Sequence, residues 1–312
     1  MKTSTITKAD IESSVLSVPP LARRADYSID KDGNAKILAH LRAGGVKTFM
    51  YGGNANLYNM APSEFVTLCE LLIDLSSDDD WMIPSVGSDF GKAQDQLTYL
   101  KTMPFPTAMV LPHRFPATPA GVATGIRRLA DTYGKPVIAY VKDDGYIDAA
   151  HLGKLDDDGA ICAVKYAIVR DDPKEDAFLD DMLSVVDKDI VISGIGERPA
   201  IDHLTKFELG AFTSGSVCVG PASSTALLKA VRRGDLKEAA RLRELFMPLE
   251  DLRDGISPLR VLHAAVHLAG IAETGPLLPY LSNVTDARQL ADIERAAKAL
   301  LAADKQTLAK AA

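Results

Sequence analysis

Short apolar runs alternate with longer amphipathic stretches through the first three quarters of the chain. Strands of a parallel sheet covered by helices are buried on both faces, so they become nearly continuous apolar runs. Eight strand–helix units within about 220 residues fit a closed (β/α)8 TIM barrel better than an open doubly wound sheet. No Rossmann-type glycine fingerprint follows the first run, which also disfavours the open sheet. The predicted strands are Val15–Val18, Val46–Tyr51, Met82–Val86, Ala108–Leu111, Pro136–Val141, Ile161–Tyr166, Ile190–Ile192 and Phe212–Val217.

The stretches between these runs carry apolar residues at helical spacing, which predicts helices and places the chain in the α/β class. The predicted helices are Ala35–Arg42, Ser63–Leu75, Lys92–Leu100, Pro119–Tyr133, Ile147–Leu155, Ala177–Val186, Ala200–Leu209 and Ala222–Arg232.

Beyond residue 233 the strand pattern stops and only helical patterns follow. Three helices are predicted there, Leu236–Phe246, Pro258–Leu268 and Ala287–Ala302, with breaks at glycine and proline residues. The chain therefore divides into a catalytic barrel over residues 1–233 and a helical C-terminal domain over residues 234–312. This domain could pack on the barrel or build a subunit interface, and the sequence leaves both open.

Charge and composition exclude several classes of function. The formal net charge of −7 disfavours a broad phosphate-binding surface for nucleic acid. No apolar run reaches transmembrane length, and the first residues are too polar for a signal peptide. The widely spaced Cys69, Cys162 and Cys218 have apolar neighbours and predict reduced core thiols. We therefore expect a cytoplasmic protein with neither nucleic-acid nor membrane partners.

A lysine stands inside the apolar run that forms the sixth predicted strand. Reactive groups of such barrels lie at the carboxyl ends of strands, where Lys165 is placed. Burying a lysine as a cation is costly. One interpretation is a side chain that reaches solvent or forms an internal ion pair. The other is an amine whose pKa is lowered by desolvation, so that it can attack a carbonyl near neutral pH.

Two further features lie at predicted strand ends. Tyr140 closes the fifth strand, and neighbouring parallel strands would bring its phenol close to Lys165, where it could shuttle protons. After the second strand, Gly52 and Gly53 allow a tight turn with open backbone N–H groups, and Asn54 adds side-chain donors. Such a turn could hold a substrate carboxylate.

Two groups of residues have features of metal ligands, but neither predicts a metal site, so no metal is expected. His263 and His267 have the i,i+4 spacing of two zinc ligands, but no glutamate lies between them to act as a base. Paired structural histidines are the preferred interpretation. The aspartate runs 78–80 and 156–158 precede strands, opposite the active face of a barrel, and are interpreted as solvated loops.

With these features together, the chain resembles the dihydrodipicolinate synthase / N-acetylneuraminate lyase family of class I pyruvate-type aldolases. The likeness lies in order and spacing and extends from about Ser14 to the C-terminal helices. It implies a catalytic Lys165, a covalent imine in place of a cofactor, and a small 2-keto acid substrate. It also implies a homo-oligomer, a tetramer or dimer, of barrels that each carry a three-helix C-terminal domain. The matching segments are Ala163-Val164-Lys165, Tyr140, Gly52-Gly53-Asn54-Ala55-Asn56, Ser193-Gly194 and Phe212-Thr213-Ser214-Gly215.

The chain departs from the family pattern around this lysine. Gly53 stands where synthases usually carry a hydroxyl that relays protons with the tyrosine, and Asn54 replaces a threonine. The segment 141–145 after the tyrosine lacks the arginine that holds the aldehyde substrate's carboxylate in synthases. After the fourth strand, His113 and Arg114 replace a tyrosine pair. A substrate charge left without its partner weakens transition-state binding, so these losses disfavour synthase activity.

The leading hypothesis is an aldolase or dehydratase that acts on pyruvate or a sugar-derived 2-keto acid. Lys165 forms the imine, Tyr140 moves protons, and the turn from Gly52 to Asn54 holds the carboxylate. Further candidates for binding the rest of the substrate are Thr213, Ser214, His113 and Arg114. The alternatives are dihydrodipicolinate synthesis and a non-catalytic barrel with a binding role.

Overall fold

In the computed structural model, which describes residues 1–311, each strand pairs in parallel with the next one along the chain. The eighth strand also pairs with the first, so the sheet closes into a barrel. The predicted (β/α)8 barrel is confirmed. The strands are β1 (Leu16–Ser17), β2 (Thr48–Tyr51), β3 (Trp81–Val86), β4 (Met109–Val110), β5 (Val137–Val141), β6 (Ile161–Tyr166), β7 (Val191–Ser193) and β8 (Ala211–Ser214).

Helices surround the barrel and continue beyond it. In the barrel they are α1 (Lys8–Glu12), α2 (Lys31–Ala43), α3 (Pro62–Asp74), α4 (Phe90–Leu100), α5 (Pro119–Tyr133), α6 (Ala149–Asp157), α7 (Ala177–Leu183), α8 (Ala200–Thr205) and α9 (Pro221–Arg232). In the C-terminal part they are α10 (Leu236–Glu244), α11 (Met247–Gly255), α12 (Pro258–Leu268) and α13 (Ala287–Ala311).

The C-terminal part departs from the sequence prediction in its helix count. It contains four helices within the described residues, where three were predicted, because α11 follows α10 almost without a break. Pro248 sits in the first turn of α11, where a missing N–H costs no helical hydrogen bond. The last helix also runs past the predicted end at Ala302, since alanine and lysine continue there. Ala312, the last residue of the predicted domain, lies outside the described residues.

Strand register determines which side chains face the barrel interior. The guanidinium of Arg42, on α2, stacks over the Phe49 ring at 5.5 Å, so Phe49 faces the helix layer. Its neighbours Thr48 and Met50 therefore face the interior, because successive side chains of a strand alternate. Residues in register share a side, which places both Tyr140 and Lys165 on one face of the sheet.

Neither aspartate run forms the solvated loop that the sequence predicted, because Asp156 and Asp157 end α6 and the run 78–80 is partly buried. Asp78 and Asp79 are exposed, but Asp80 is buried. Its carboxylate accepts two hydrogen bonds from Arg42, from Nε at 3.0 Å and from Nη2 at 2.5 Å. A buried carboxylate needs such a partner, so this pair anchors the loop before β3 to α2.

The three cysteines are free thiols in the structure. Cys69 and Cys218 are buried free thiols, and Cys162 is half-buried. Within residues 1–311, no helix combines the length and apolarity needed to cross a membrane.

A substitution at Gly44, at the end of α2, tests how tightly α2 packs against α9. A Cβ there would lie 2.4 Å from Pro221 Cβ and 2.5 Å from the backbone nitrogen of Ala222 at the start of α9. Because backbone atoms cannot yield, Gly44→Ala should lower the free energy of unfolding by about 1–3 kcal/mol. Urea denaturation measures the change.

Gly91→Ala is the matched control, since no atom lies within 4 Å of a Cβ at this position in α4. It should be neutral or raise stability by about 0.5–1 kcal/mol, because alanine favours helix over glycine. Equal effects of the two substitutions would contradict this account of the α2–α9 contact.

Candidate active site

A cavity of about 330 Å³ opens at the carboxyl ends of the barrel strands, and we call it the mouth cavity. Active sites of TIM barrels lie on this face. Residues that follow β1, β2, β7 and β8, the ends of β5 and β6, and the C-terminal helices contribute to its wall. The lining residues used below are Val18, Gly53, Asn54, Tyr58, Tyr140, Lys142, Lys165, Gly194, Thr213, Gly215, Glu250 and Arg253.

Lys165 is buried in β6, with only 4% of its surface exposed, and it lines the mouth cavity. No acidic side chain among residues 1–311 pairs with its amine. Burial lowers the pKa of Lys165 to about 7, and the positive charges of Lys142 and Arg253 act in the same direction. A lysine that reaches solvent would not be buried, and a lysine in an ion pair would have an acidic partner, so neither alternative describes Lys165. At neutral pH a large share of this amine is therefore uncharged and nucleophilic.

Tyr140 stands beside the lysine on the neighbouring strand. The two residues are in register, and Lys165 Nζ lies 4.3 Å from the centroid of the Tyr140 ring. Burial raises the pKa of the Tyr140 hydroxyl to about 12. The phenol is thus protonated at neutral pH and can donate a proton before it accepts one.

The turn after β2 contributes two of its three predicted residues to the mouth cavity. Gly53 and Asn54 line the wall, and the Asn54 Nδ2 donates to the Val18 carbonyl at 2.9 Å. Gly52 lies below them, against Met109 and Ser85, where a Cβ would come within 2.7 Å of the methionine Cε. Gly52 is therefore a packing position beneath the cavity floor.

Only one of the two β8 candidates faces the mouth cavity. Thr213 lines the cavity, whereas the next residue, Ser214, points to the opposite side of the strand. Its hydroxyl donates to Glu197 Oε2 at 2.8 Å and accepts from the Val217 N–H. Side chains alternate along a strand, so adjacent residues cannot both reach the same cavity. The structure therefore brings Thr213, but not Ser214, to the mouth cavity.

His113 and Arg114 also lie outside the mouth cavity, so the structure does not bring them together with Lys165. The chain after β4 turns outward, and His113 lines a separate groove together with Phe115 and Tyr146. Arg114 is exposed and pairs with Asp143 at 3.3 Å. Position after a strand limits a residue to the barrel face but does not decide whether its loop turns inward.

The contribution of α11 to the mouth cavity was not predicted from the sequence. This helix places Glu250 and Arg253 in the wall of the mouth cavity, although both are far from the barrel strands in sequence. The apolar spacing of Leu249 and Leu252 after Phe246 was the available signal for a helix here. Tyr58, in the short helical turn after β2, was missed as well.

Arg253 and Glu250 form a buried ion pair one helical turn apart. Arg253 Nη1 donates to Glu250 Oε1 at 2.6 Å, and the Ser216 hydroxyl donates to the same carboxylate. Behind them, burial and the charge of Glu250 raise the pKa of Glu197 to about 7. Glu197 also accepts hydrogen bonds from Ser214 and Ser224. This network connects the C-terminal helices to the β7 and β8 ends and fixes the Arg253 guanidinium at the cavity wall.

The two histidines of α12 are separate from the mouth cavity. His263 is buried, with its Nε2 2.9 Å from the Gly275 carbonyl oxygen. His267 lies 3.0 Å from the carboxylate of Glu273. Each histidine thus contacts its own acceptor within the C-terminal domain.

The closed barrel followed by C-terminal helices has the architecture of solved dihydrodipicolinate synthases. No protein-family model matches the sequence, and no curated protein matches it either. Solved structures do match, and the family resemblance seen in the sequence is confirmed at the level of the fold.

One similar structure is dihydrodipicolinate synthase from Oceanobacillus iheyensis, with 20% identity, a TM-score of 0.82 and coverage of 93% of this chain and 97% of that one. Another is dihydrodipicolinate synthase from Agrobacterium tumefaciens, at 16% identity and a TM-score of 0.82, covering 94% and 100% of the two chains. A third is YagE of Escherichia coli K12, a prophage protein of the dihydrodipicolinic acid synthase family solved with pyruvate. It is 21% identical, with a TM-score of 0.77 and coverage of 92% and 98%.

Burial of Lys165 should make stability depend on pH in a predictable direction. The pKa of Lys165 is about 7 in the folded chain and 10.5 without burial, so the unfolded chain binds more protons between these values. Lys165→Met should therefore stabilise the protein most below pH 7. The difference should shrink by about 1.4 kcal/mol per pH unit between pH 8 and pH 10. Urea denaturation of both proteins across this range measures it.

Lys36→Met is the control, because this lysine is exposed on α2. Its effect should stay within about 0.5 kcal/mol at every pH. A Lys165→Met effect that is small or independent of pH would mean that the buried amine is not destabilised as a cation.

Proposed function

We propose that this protein is a Schiff-base lyase that acts on pyruvate or a sugar-derived 2-keto acid through Lys165. The observation that carries the proposal is a buried, unpaired lysine at the end of β6, inside a cavity and beside Tyr140. Amine burial without a counter-charge costs stability, and nucleophilic attack on a carbonyl is the chemistry that such an amine performs well. The likeness to YagE, which was solved with pyruvate, supports the same class of substrate.

The reaction begins when the neutral Lys165 amine adds to the C2 carbonyl of the keto acid. The resulting carbinolamine loses its hydroxyl as water and becomes a protonated imine. The imine draws electrons from the adjacent carbons, which permits cleavage of a carbon–carbon bond or loss of a hydroxyl as water. Cleavage of the carbon–carbon bond leaves an enamine on the lysine, which takes up a proton on carbon and becomes the imine of the product. Water then hydrolyses the product imine, and the lysine is regenerated.

Tyr140 is the acid–base residue in this scheme. Its protonated phenol gives a proton to the departing hydroxyl of the carbinolamine, and the resulting phenolate can take a proton back later in the cycle. The turn of Gly53 and Asn54 holds the carboxylate next to the reacting carbon, with backbone N–H groups and the Asn54 amide as donors. Thr213, which also lines the cavity, is proposed to contact the rest of the substrate.

The substrate is proposed to be a sugar-derived keto acid rather than the synthase pair of pyruvate and aspartate semialdehyde. The segment after Tyr140 brings Lys142, not an arginine, to the mouth cavity. A lysine is a point charge and cannot bind a carboxylate through the two parallel hydrogen bonds of a guanidinium. The homotetramer or homodimer implied by the family resemblance stays a prediction.

Borohydride trapping tests the imine. Incubation of the protein with pyruvate and borohydride should add one reduced pyruvate to the peptide that contains Lys165, detected by mass spectrometry. Lys165→Met should form no adduct, because the nucleophile is gone. Lys135→Met should form the adduct as the wild type does, since Lys135 is a half-buried lysine before β5, at the opposite end of the barrel.

The outcomes of trapping separate the competing functions. No adduct with pyruvate or with any other 2-keto acid would overturn the Schiff-base proposal and favour a non-catalytic binding barrel. An adduct on another lysine would overturn the role of Lys165.

A second assay concerns the substrate. Pyruvate and aspartate semialdehyde together should give no appreciable turnover in a coupled assay, because the arginine that holds the aldehyde's carboxylate in synthases is absent. Appreciable turnover would instead establish dihydrodipicolinate synthesis.

A further inference from the structure

We propose that Arg253, a residue of the C-terminal helices, binds the carboxylate next to the imine carbon together with Asn54. The inference rests on the proposed function and adds to it a charged carboxylate ligand from outside the barrel strands. Arg253 and Asn54 both line the mouth cavity with Lys165.

The side-chain nitrogens of Arg253 and Asn54 both lie close to Gly215. A Cβ at Gly215 would lie 2.8 Å from Arg253 Nη2 and 2.8 Å from Asn54 Nδ2. Only glycine leaves room for both side chains to approach the backbone after β8 this closely. The two nitrogens are thus near enough to donate to the two oxygens of a single carboxylate.

Both groups keep donor capacity for a ligand. Within residues 1–311, the hydrogen bonds of Arg253 use Nη1, toward Glu250 and Ser216, and Nε, toward the Pro258 carbonyl at 3.4 Å. Nη2 is not used by these bonds. Asn54 Nδ2 carries two hydrogens and donates one of them to the Val18 carbonyl. A carboxylate placed between Nη2 and Nδ2 could therefore accept one hydrogen bond from each of them.

Arg253 is held in place before any ligand binds. The residue is 8% exposed, and its partner Glu250 is 2% exposed. The Glu250 carboxylate is in turn held by the Ser216 hydroxyl. A cation fixed in this way loses little side-chain freedom when an anion binds, which favours affinity.

The contribution of Arg253 also explains how a turn after β2 that lacks a hydroxyl residue could still hold a carboxylate. With Gly53 in place of a hydroxyl residue, the turn offers only neutral donors from its backbone and from Asn54. Hydrogen bonds from a guanidinium to a carboxylate are about twice as strong as neutral ones. Arg253 would supply this stronger bond from across the cavity wall.

The test compares a charged and a neutral ketone in the trapping reaction. Half-saturating concentrations are measured for pyruvate and for its methyl ester, which keeps the ketone but lacks the negative charge. Arg253→Met should raise the value for pyruvate tenfold or more, the loss expected when one charge-assisted hydrogen bond is removed. The value for the ester should change less than threefold. Arg253→Lys should recover part of the loss, because it restores the charge without the fork of donors.

Two controls separate recognition from structure. Arg198→Met removes a half-buried arginine that pairs with Asp251 and Asp254 of α11 but does not line the mouth cavity. It should leave both half-saturating concentrations unchanged. The double variant Arg253→Met with Glu250→Gln removes the buried charge that the single variant would leave unpaired. It should show the same selective loss for pyruvate.

Three results would overturn the proposal. Unchanged pyruvate trapping in Arg253→Met would exclude Arg253 from this carboxylate site, and an equal loss for pyruvate and ester would assign it a structural role. Wild-type pyruvate affinity in the double variant Arg253→Met with Glu250→Gln would also assign Arg253 a structural role. Failure of the wild-type protein to trap any keto acid is a different result, because it would reject the proposed function itself.

Discussion

The parallel register of β5 and β6 is the constraint on which the candidate site depends. It aligns Tyr140 with Lys165, so the amine lies over the phenol ring at the mouth of the barrel. Closure of the sheet then brings the ends of the other strands around the same cavity. Because all eight strands run in one direction, the loops that follow them share one face. The arrangement of the candidate site therefore follows from how the sheet closes.

The two basic groups Lys165 and Arg253 in the cavity differ in how their charges are stabilised. Burial holds the pKa of Lys165 near 7, and no acid pairs with it. Arg253, by contrast, is given a buried partner in Glu250, so its charge is stabilised while it faces the same cavity. The site thus contains one amine that is easily neutralised and one guanidinium that keeps its charge. A reaction that joins an amine to the ketone of an anionic substrate requires both properties.

The periodic patterns of hydrophobic residues predicted much of the fold. β6 and α5 have the predicted bounds, and the other predicted strands overlap those observed. Lys165 and Tyr140 could be selected because a charged or phenolic group at the end of an apolar strand is conspicuous. The hydrophobic pattern does not mark the boundary between two helices that follow each other closely. For that reason α11, which begins shortly after α10, was not predicted as a separate helix. The pattern also could not tell which of the neighbours Thr213 and Ser214 faces the cavity, and the structure places only Thr213 there.

By itself, the sequence determined the barrel, its eight strands, and the strand ends that carry Lys165 and Tyr140. Hydrophobic periodicity is a local property, and it reports burial whatever the distant partners are. Only the tertiary structure decided that the loop with Arg114 turns away from the cavity and that Arg253 reaches it. Such choices depend on contacts between segments far apart in the chain. No pattern of neighbouring residues encodes which of two charged side chains will meet a cavity built from other segments.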